Sequence, residues 1–276
     1  MCCFFYYKDE VFCEMIRFIV VLLFAPIAAF SQIRIDKLVI PANQTYTIEK
    51  ADILVVDTLI MNDSSTIQLN TSRRDNFIHA KSLIAGNGAR ILGFGEKGAR
   101  GKDGSKGTTM DGPCIDGTPG HSGTGGSHGD SGTNLFMYLG QINISGSLTI
   151  DLRGSDGGDG GNGAQGGGGS MGTRVCLGGT GGAGGNGGSG GNGGSGGALT
   201  ISCKECIDDM RAALGHQLLV KNYAGFGGVG GDPGSGGLAG LGAQGMTSKD
   251  GKIGPKGRRG ADGQNGKQGA INFEKN

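Results

Sequence analysis

Tryptophan is missing from the 276 residues, aromatic side chains make up 6 %, and glycine does not occur before Gly86. The first two shortages exclude a core built on large rings, which normally supply the biggest buried areas. The third divides the chain. All 62 glycines follow residue 85, where they reach about one residue in three, the collagen-like fraction. Proline is scarce as well: only Pro113, Pro119, Pro233 and Pro255 lie in the glycine-rich part, far fewer than a free-standing collagen helix carries. Nor is there charge of one sign. The 25 basic and 24 acidic residues give a formal net charge of +1, which asks for no nucleic-acid partner.

One apolar run stands near the N-terminus, in MIRFIVVLLFAPIAAFSQ from Met15. Arg17 provides the positive start, Phe18 to Phe24 the apolar stretch, and Ala29 and Ser31 the small residues before a cut ahead of Gln32. The run is too short for a stable span, so residues 1–31 are expected to be a signal peptide, with Met15 as a candidate true start; an uncleaved anchor is the alternative. A secreted or cell-surface protein follows. Of seven cysteines, Cys2, Cys3 and Cys13 precede the cut, leaving Cys114, Cys176, Cys203 and Cys206, an even number that predicts two disulfides in an oxidising compartment.

Residues 32–94 have the pattern of a short β-solenoid-like base. Leu59 and Leu83, Ile60 and Ile84, and Ile67 and Ile91 are separated by one common interval, with polar turns between the runs. The stretch at 141–152, QINISGSLTIDL, repeats it, Ile150 matching Ile67 and Leu152 matching Leu69. Stacked rungs of this kind bury a narrow Ile, Leu and Val core without aromatics. The edge of an unrelated β-sandwich is the competing reading.

From residue 95 to 276 glycine keeps a period of three in six stretches: 95–107, 117–132, 154–172, 178–196, 225–240 and 251–269. Period three is that of polyproline II, which has no internal hydrogen bonds. Its N–H and C=O groups must find partners on neighbouring strands when buried, and an edge without Cβ lets those neighbours approach. The stretches come in pairs, each return leading into an apolar run: LFMYLGQINI, ALTISC and AINF. The fold expected is therefore all-β, a short solenoid-like base with six polyproline or polyglycine II helices in three hairpins, glycine helices and strands interleaving over 95–276. A flexible Gly/Ser linker would not hold phase over so many triplets. GGTGGAGGNGGSGGNGGSGG at 178–197 offers two glycine edges and is expected at the centre; GEKGARGKDGSKG and GKIGPKGRRGADGQNGKQG carry long charged side chains and are expected at the periphery.

These runs resemble the polyglycine II bundles of snow-flea antifreeze protein and of adhesins at the tips of T-even-type phage tail fibres. GKIGPKGRRGADGQNGKQG also resembles bacterial collagen-like repeats. The likeness spans about residues 95–270, is one of repeat pattern, and implies an architecture without assigning any functional residue.

Cys114 and Cys176 both fall in far turns of the hairpins, where a bond would join two tips. Cys203-Lys-Glu-Cys206 precedes IDDMRAALG, whose Ile207, Met210 and Leu214 spacing and Gly215 predict a short helix. A structural disulfide is preferred there to a redox pair, for no thioredoxin-like βαβ context surrounds it. No catalytic, metal or cofactor site is expected. GDSG at 129–132 keeps glycine phase and lacks His and Asp partner motifs; Asp156, Asp159 and Asn162 lack the apolar position of calcium-binding nonapeptides; His79, His121, His128 and His216 form no ligand spacing. Asp52 and Asp57 are the carboxylates nearest to a hydrolase pair.

The function expected is that of a non-enzymatic secreted or cell-surface structural and adhesive protein. The tips, 108–116, 173–177 and 241–250, would present Asp111, Arg174 and Lys249 to a partner such as a surface polysaccharide. Arg258 and Arg259 suit an anionic saccharide or a solvated rim. Two alternatives stand beside it. One is ice binding, disfavoured if the row Thr180, Ala183, Asn186, Ser189, Asn192 and Ser195 is buried as expected. The other is a trimeric collagen-like stalk, against which the short disulfide-tied hairpins favour a monomer.

Overall fold

Short apolar runs between polar turns suit strands that stack coil upon coil, and the chain folds that way. The computed structural model describes residues 33–48, 51–204, 206–245 and 249–275; the signal-peptide expectation for 1–31 lies outside them. The strands are β1 (Ile33–Ile40), β2 (Thr45–Thr47), β3 (Ile53–Met61), β4 (Thr66–Gln68), β5 (Asp75–Ala85), β6 (Ala89–Leu92), β7 (Asn134–Ile144), β8 (Leu148–Asp151), β9 (Leu199–Cys203), β10 (Leu218–Lys221) and β11 (Ile271–Lys275), with one helix, α1 (Ile207–Ala213), between β9 and β10. Odd-numbered strands form a six-stranded sheet in the order β1-β3-β5-β7-β9-β11, and even-numbered strands a five-stranded sheet in the order β10-β8-β6-β4-β2. Every pairing is parallel. The described fold is all-β apart from α1.

The core lies between the sheets and is aliphatic. Leu54, Leu59, Ile67, Ile78, Leu83, Ile91, Leu135 and Leu148 are among its fully buried side chains, Met61 and Met137 fill gaps, and no aromatic ring is among them. Leu59 pairs with Leu83 and Ile60 with Ile84; Ile67, Ile91 and Ile150 form one continuous column, as their spacing in the sequence predicts. Four rings lie on the outer surface of the larger sheet, Phe77 stacked on Phe136 and His79 on Tyr138, while Tyr46 and Phe273 are partly buried against the core.

In the first two coils the return from an even to the next odd strand is short, 48–52 and 69–74. In the next three it runs through 93–133, 152–198 and 222–270, and each of these returns is a pair of glycine segments. We number them one (95–107) to six (251–269). Their bonds repeat every third residue: Gly95, Gly98, Gly101, Gly104 and Gly107 of segment one donate to the carbonyls of Arg153, Asp156, Asp159, Asn162 and Gln165 in and beside segment three. Segments one, three and five continue from β6, β8 and β10 and run one way. Segments two, four and six run the other way into β7, β9 and β11, as a second layer.

Segment four, 178–197, bonds to four others. Gly182 donates to Gly167 of segment three and Gly181 to Lys252 of segment six, while the Gly120 and Gly234 N–H groups of segments two and five donate to its Ala183 and Gly185 carbonyls. Among the described residues, segment one bonds only to two and three, and segment six only to four and five. The doubled glycines have a steric cause. A Cβ on Gly185 would lie 2.0 Å from the His121 oxygen, and one on Gly184 2.1 Å from the Gly234 oxygen. Both edges of the segment are closed by neighbouring backbone.

One expectation is overturned. Thr180, Ala183, Asn186, Ser189, Asn192 and Ser195 are half-buried or exposed rather than buried. Two layers cannot enclose a segment on all sides, so this row surfaces between segments two and six.

Candidate functional site: the joined tips of the glycine hairpins

The far turns need backbone that ordinary residues resist. Gly112 has φ 108° and Cys114 φ 62°, the left-handed region that turns the first hairpin and aims the Cys114 side chain at its neighbour. Cys114 is bonded to Cys176. Around it, the Cys114 N–H donates to Met171 O at 2.8 Å and the Ser170 hydroxyl to Met110 O at 2.7 Å. Thr173 Oγ1 accepts the N–H groups of Val175 and Cys176, each at 3.3 Å, closing the second tip. The third tip joins through Lys249, whose Nζ donates to the Arg174 carbonyl.

Of the three charged residues singled out from sequence, Arg174 and Lys249 are thus brought together, and Asp111 stands exposed on the first tip. Sequence reasoning passed over the apolar ones. Met110, Ile115, Met171, Leu177 and Leu241 are exposed in or beside these turns, and Val175 is 92 % exposed. Their signal was available: they are the large side chains in turns that interrupt a chain of small residues. Exposed apolar groups gathered in one place mark interaction surfaces.

Elsewhere the outward residues of the segments have a structural task. Asp156, Asp159 and Asn162 accept the N–H groups of Phe226, Val229 and Asp232 at 2.8, 2.8 and 2.9 Å, which gives GSDGGDGGNG a part in joining segments three and five. Ser131 of GDSG accepts from the Ser195 N–H at 3.1 Å, and His128 Nδ1 from the Asn192 N–H at 2.8 Å. Asp103 accepts the Asn162 N–H at 2.7 Å, and this bond, followed by Arg100, holds its carboxyl below the ordinary range. The Gly230 N–H, at 2.8 Å, followed by Arg259, does the same for Asp262.

The remaining candidates disperse. Cys203 and Cys206 form the second disulfide and are 0 % and 5 % exposed, inaccessible to a redox partner. Asp57 pairs with Lys81 at 2.9 Å. Arg259 pairs with Asp262 at 3.1 Å, while the Arg258 N–H donates to Asn186.

No protein-family description matches the chain, and no curated protein does. Among solved structures, the chain is similar to a springtail antifreeze protein from Granisotoma rainieri, described as a nine polyproline type II helical bundle, at 22 % identity over 60 % of this chain and 93 % of that one. The TM-score is 0.16, a value at which the superposition carries no argument about fold or function.

Proposed function

We propose that this is a secreted or cell-surface structural and adhesive protein that works without catalysis, and that its glycine segments are six polyproline II helices holding three joined tips away from a β-solenoid base. The observation that carries the reading is the tip cluster. Met110, Ile115, Met171, Val175 and Leu177 are exposed around the Cys114–Cys176 bond, at the end of the molecule farthest along the chain from the coils. The helical assignment is supported by lateral bonds at every third residue. Two disulfides suit an oxidising compartment, in keeping with secretion. Intrachain partners for the glycine N–H groups favour a monomer, since a collagen trimer would direct them to other chains.

The test is to express residues 32–276 through an oxidising compartment and measure adsorption to bacterial envelopes and to their isolated surface polysaccharide. Val175→Ser combined with Met171→Ser and Leu177→Ser should abolish adsorption with the fold intact. Unchanged adsorption sinks the tip reading. Light scattering on the same material should give a monomer mass; a trimer mass would favour the collagen-like stalk.

A second reading, ice binding, gains from one observation: the row from Thr180 to Ser195 is at the surface, flanked by Ser122, Gly125 and Ser131 of segment two. It requires thermal hysteresis in a solution of the folded protein, and freezing behaviour like that of an inert protein removes it.

A further inference from the structure

The coil register that aligns the strands also lines up residues at the opposite end of the glycine segments from the tips. Phe94, Arg153 and Tyr223 fall on one rung, where Gly95 N–H meets Arg153 O and Gly154 N–H meets Tyr223 O. The next rung outward carries Lys97, Asp156 and Phe226. These residues surround a cleft of about 530 Å³, with Glu96 on its rim. Phe94, Tyr223 and Phe226 are 41 %, 51 % and 69 % exposed, on a face whose other positions are mostly small or charged.

Arg153 fixes the arrangement. Its Nε and Nη2 donate to the two oxygens of Asp151, each at 2.8 Å, and its Nη1 donates to the Tyr223 hydroxyl at 3.2 Å. The Asp151 side chain is only 7 % exposed. The guanidinium lies 6.0 Å from the Phe94 ring centre and 5.5 Å from that of Tyr223, within reach of a cation–π contact with both. Two exposed rings are thereby held apart and fixed in orientation, which lowers the entropy lost on binding.

We propose that this cleft binds a neutral, β-linked pyranose chain. The apolar C–H face of a sugar ring suits the open aromatic surfaces of Tyr223 and Phe226, and its rim of hydroxyls suits Glu96, Lys97 and Asp156. Charge selects against an acidic polymer. Asp151 neutralises Arg153, so Glu96 and Asp156 outnumber Lys97. With a polyproline II rise, Tyr223 and Phe226 are about 9 Å apart, close to the length of two linked pyranose rings. The site is independent of the tips, and a tip substitution leaves it intact.

The test uses the full chain from residue 32 in titration calorimetry with cellohexaose, laminarihexaose and chitohexaose, and with a hyaluronan hexasaccharide as the acidic probe. At least one neutral hexaose should bind. Tyr223→Ala and Phe226→Ala, both at exposed positions, should each weaken it about tenfold, roughly the worth of one good contact. Tyr223→Phe should keep most of the affinity, and the tip triple variant all of it. Melting curves identify any variant whose loss reflects unfolding. The proposal is overturned if no neutral hexaose binds, if the alanine variants bind like the parent, or if the acidic hexasaccharide binds more tightly.

Discussion

The coils and the glycine segments share one register but are held by opposite means. Between β6 and β8 the displacement stacks Ile91 on Ile150; farther along the same two passes of the chain it sets Asp103 Oδ1 against the Asn162 N–H. In the coils the rungs are fixed by buried side chains, whose removal leaves a cavity. In the segments they are fixed by backbone, and it is the addition of a side chain that does harm. Glycine loses more conformational freedom on folding than any other residue, so the segments need dense lateral bonding to stay ordered. The coils provide the alignment that makes this bonding possible.

The largest test of that contrast is a methyl group on each side of the array. Gly184→Ala and Gly185→Ala each force a Cβ against a neighbouring carbonyl oxygen, and overpacking of this kind costs about 3 kcal/mol or more. Gly125→Ala adds the same methyl in an outward row, where the nearest atom is the Ser189 hydroxyl at 3.3 Å, and should stay within about 0.5 kcal/mol of the parent. Thermal melts of the three variants decide it. Equal loss at all three positions would mean that packing does not distinguish the rows.

Next in size is the reverse operation in the coils. Ile150→Ala removes a fully buried side chain from its column and should cost about 3 kcal/mol by lost burial and cavity formation. Because the segments inherit their alignment from the coils, this variant and Gly185→Ala should lower one common melting transition. Two separated transitions, each moved by only one variant, would make coils and segments independent units.

Legibility in the sequence followed periodicity. The Ile67, Ile91 and Ile150 column, the six glycine stretches, the close backbone approach along both glycine edges of 178–197 and both disulfides were readable because each repeats or sits at a fixed place in a repeat. What escaped depends on how passes of different length are aligned. Phe94, Arg153 and Tyr223 are far apart in the chain and meet only through the register set by β6, β8 and β10. The surfacing of Thr180 to Ser195 escaped for a related reason: strand order in the sheets makes the array two layers deep, and no single segment encodes that depth. At the tips, attention to charged residues obscured Val175 and its apolar neighbours.

The Cys114–Cys176 bond tests whether the far ends need help beyond backbone bonding. Cys114→Ser with Cys176→Ser should cost about 2 kcal/mol, the lower end of what a disulfide contributes, because the flanking segments remain bonded along their length. Amide exchange should show where the loss falls, faster at 108–116 and 173–177 and unchanged in β5 and β7. Faster exchange throughout would make the bond a determinant of the whole fold.

The smallest effect is one of pH, and it bears on two carboxylates of the segments. Asp103 and Asp262 each accept a backbone N–H from the adjacent segment, and each has its carboxyl held below the ordinary range, first by that bond. A depressed folded-state pKa means that the unfolded chain takes up the proton more readily. The stability contributed is then complete above the unfolded value near 3.9 and is lost as pH falls through the lower, folded value. Asp103→Asn with Asp262→Asn keeps an oxygen that accepts the same N–H groups and cannot titrate. Melting temperature against pH should therefore match the parent near neutrality and decline less steeply below about pH 4. An identical acid decline in parent and variant would remove these two carboxylates from the account of how the segments hold together.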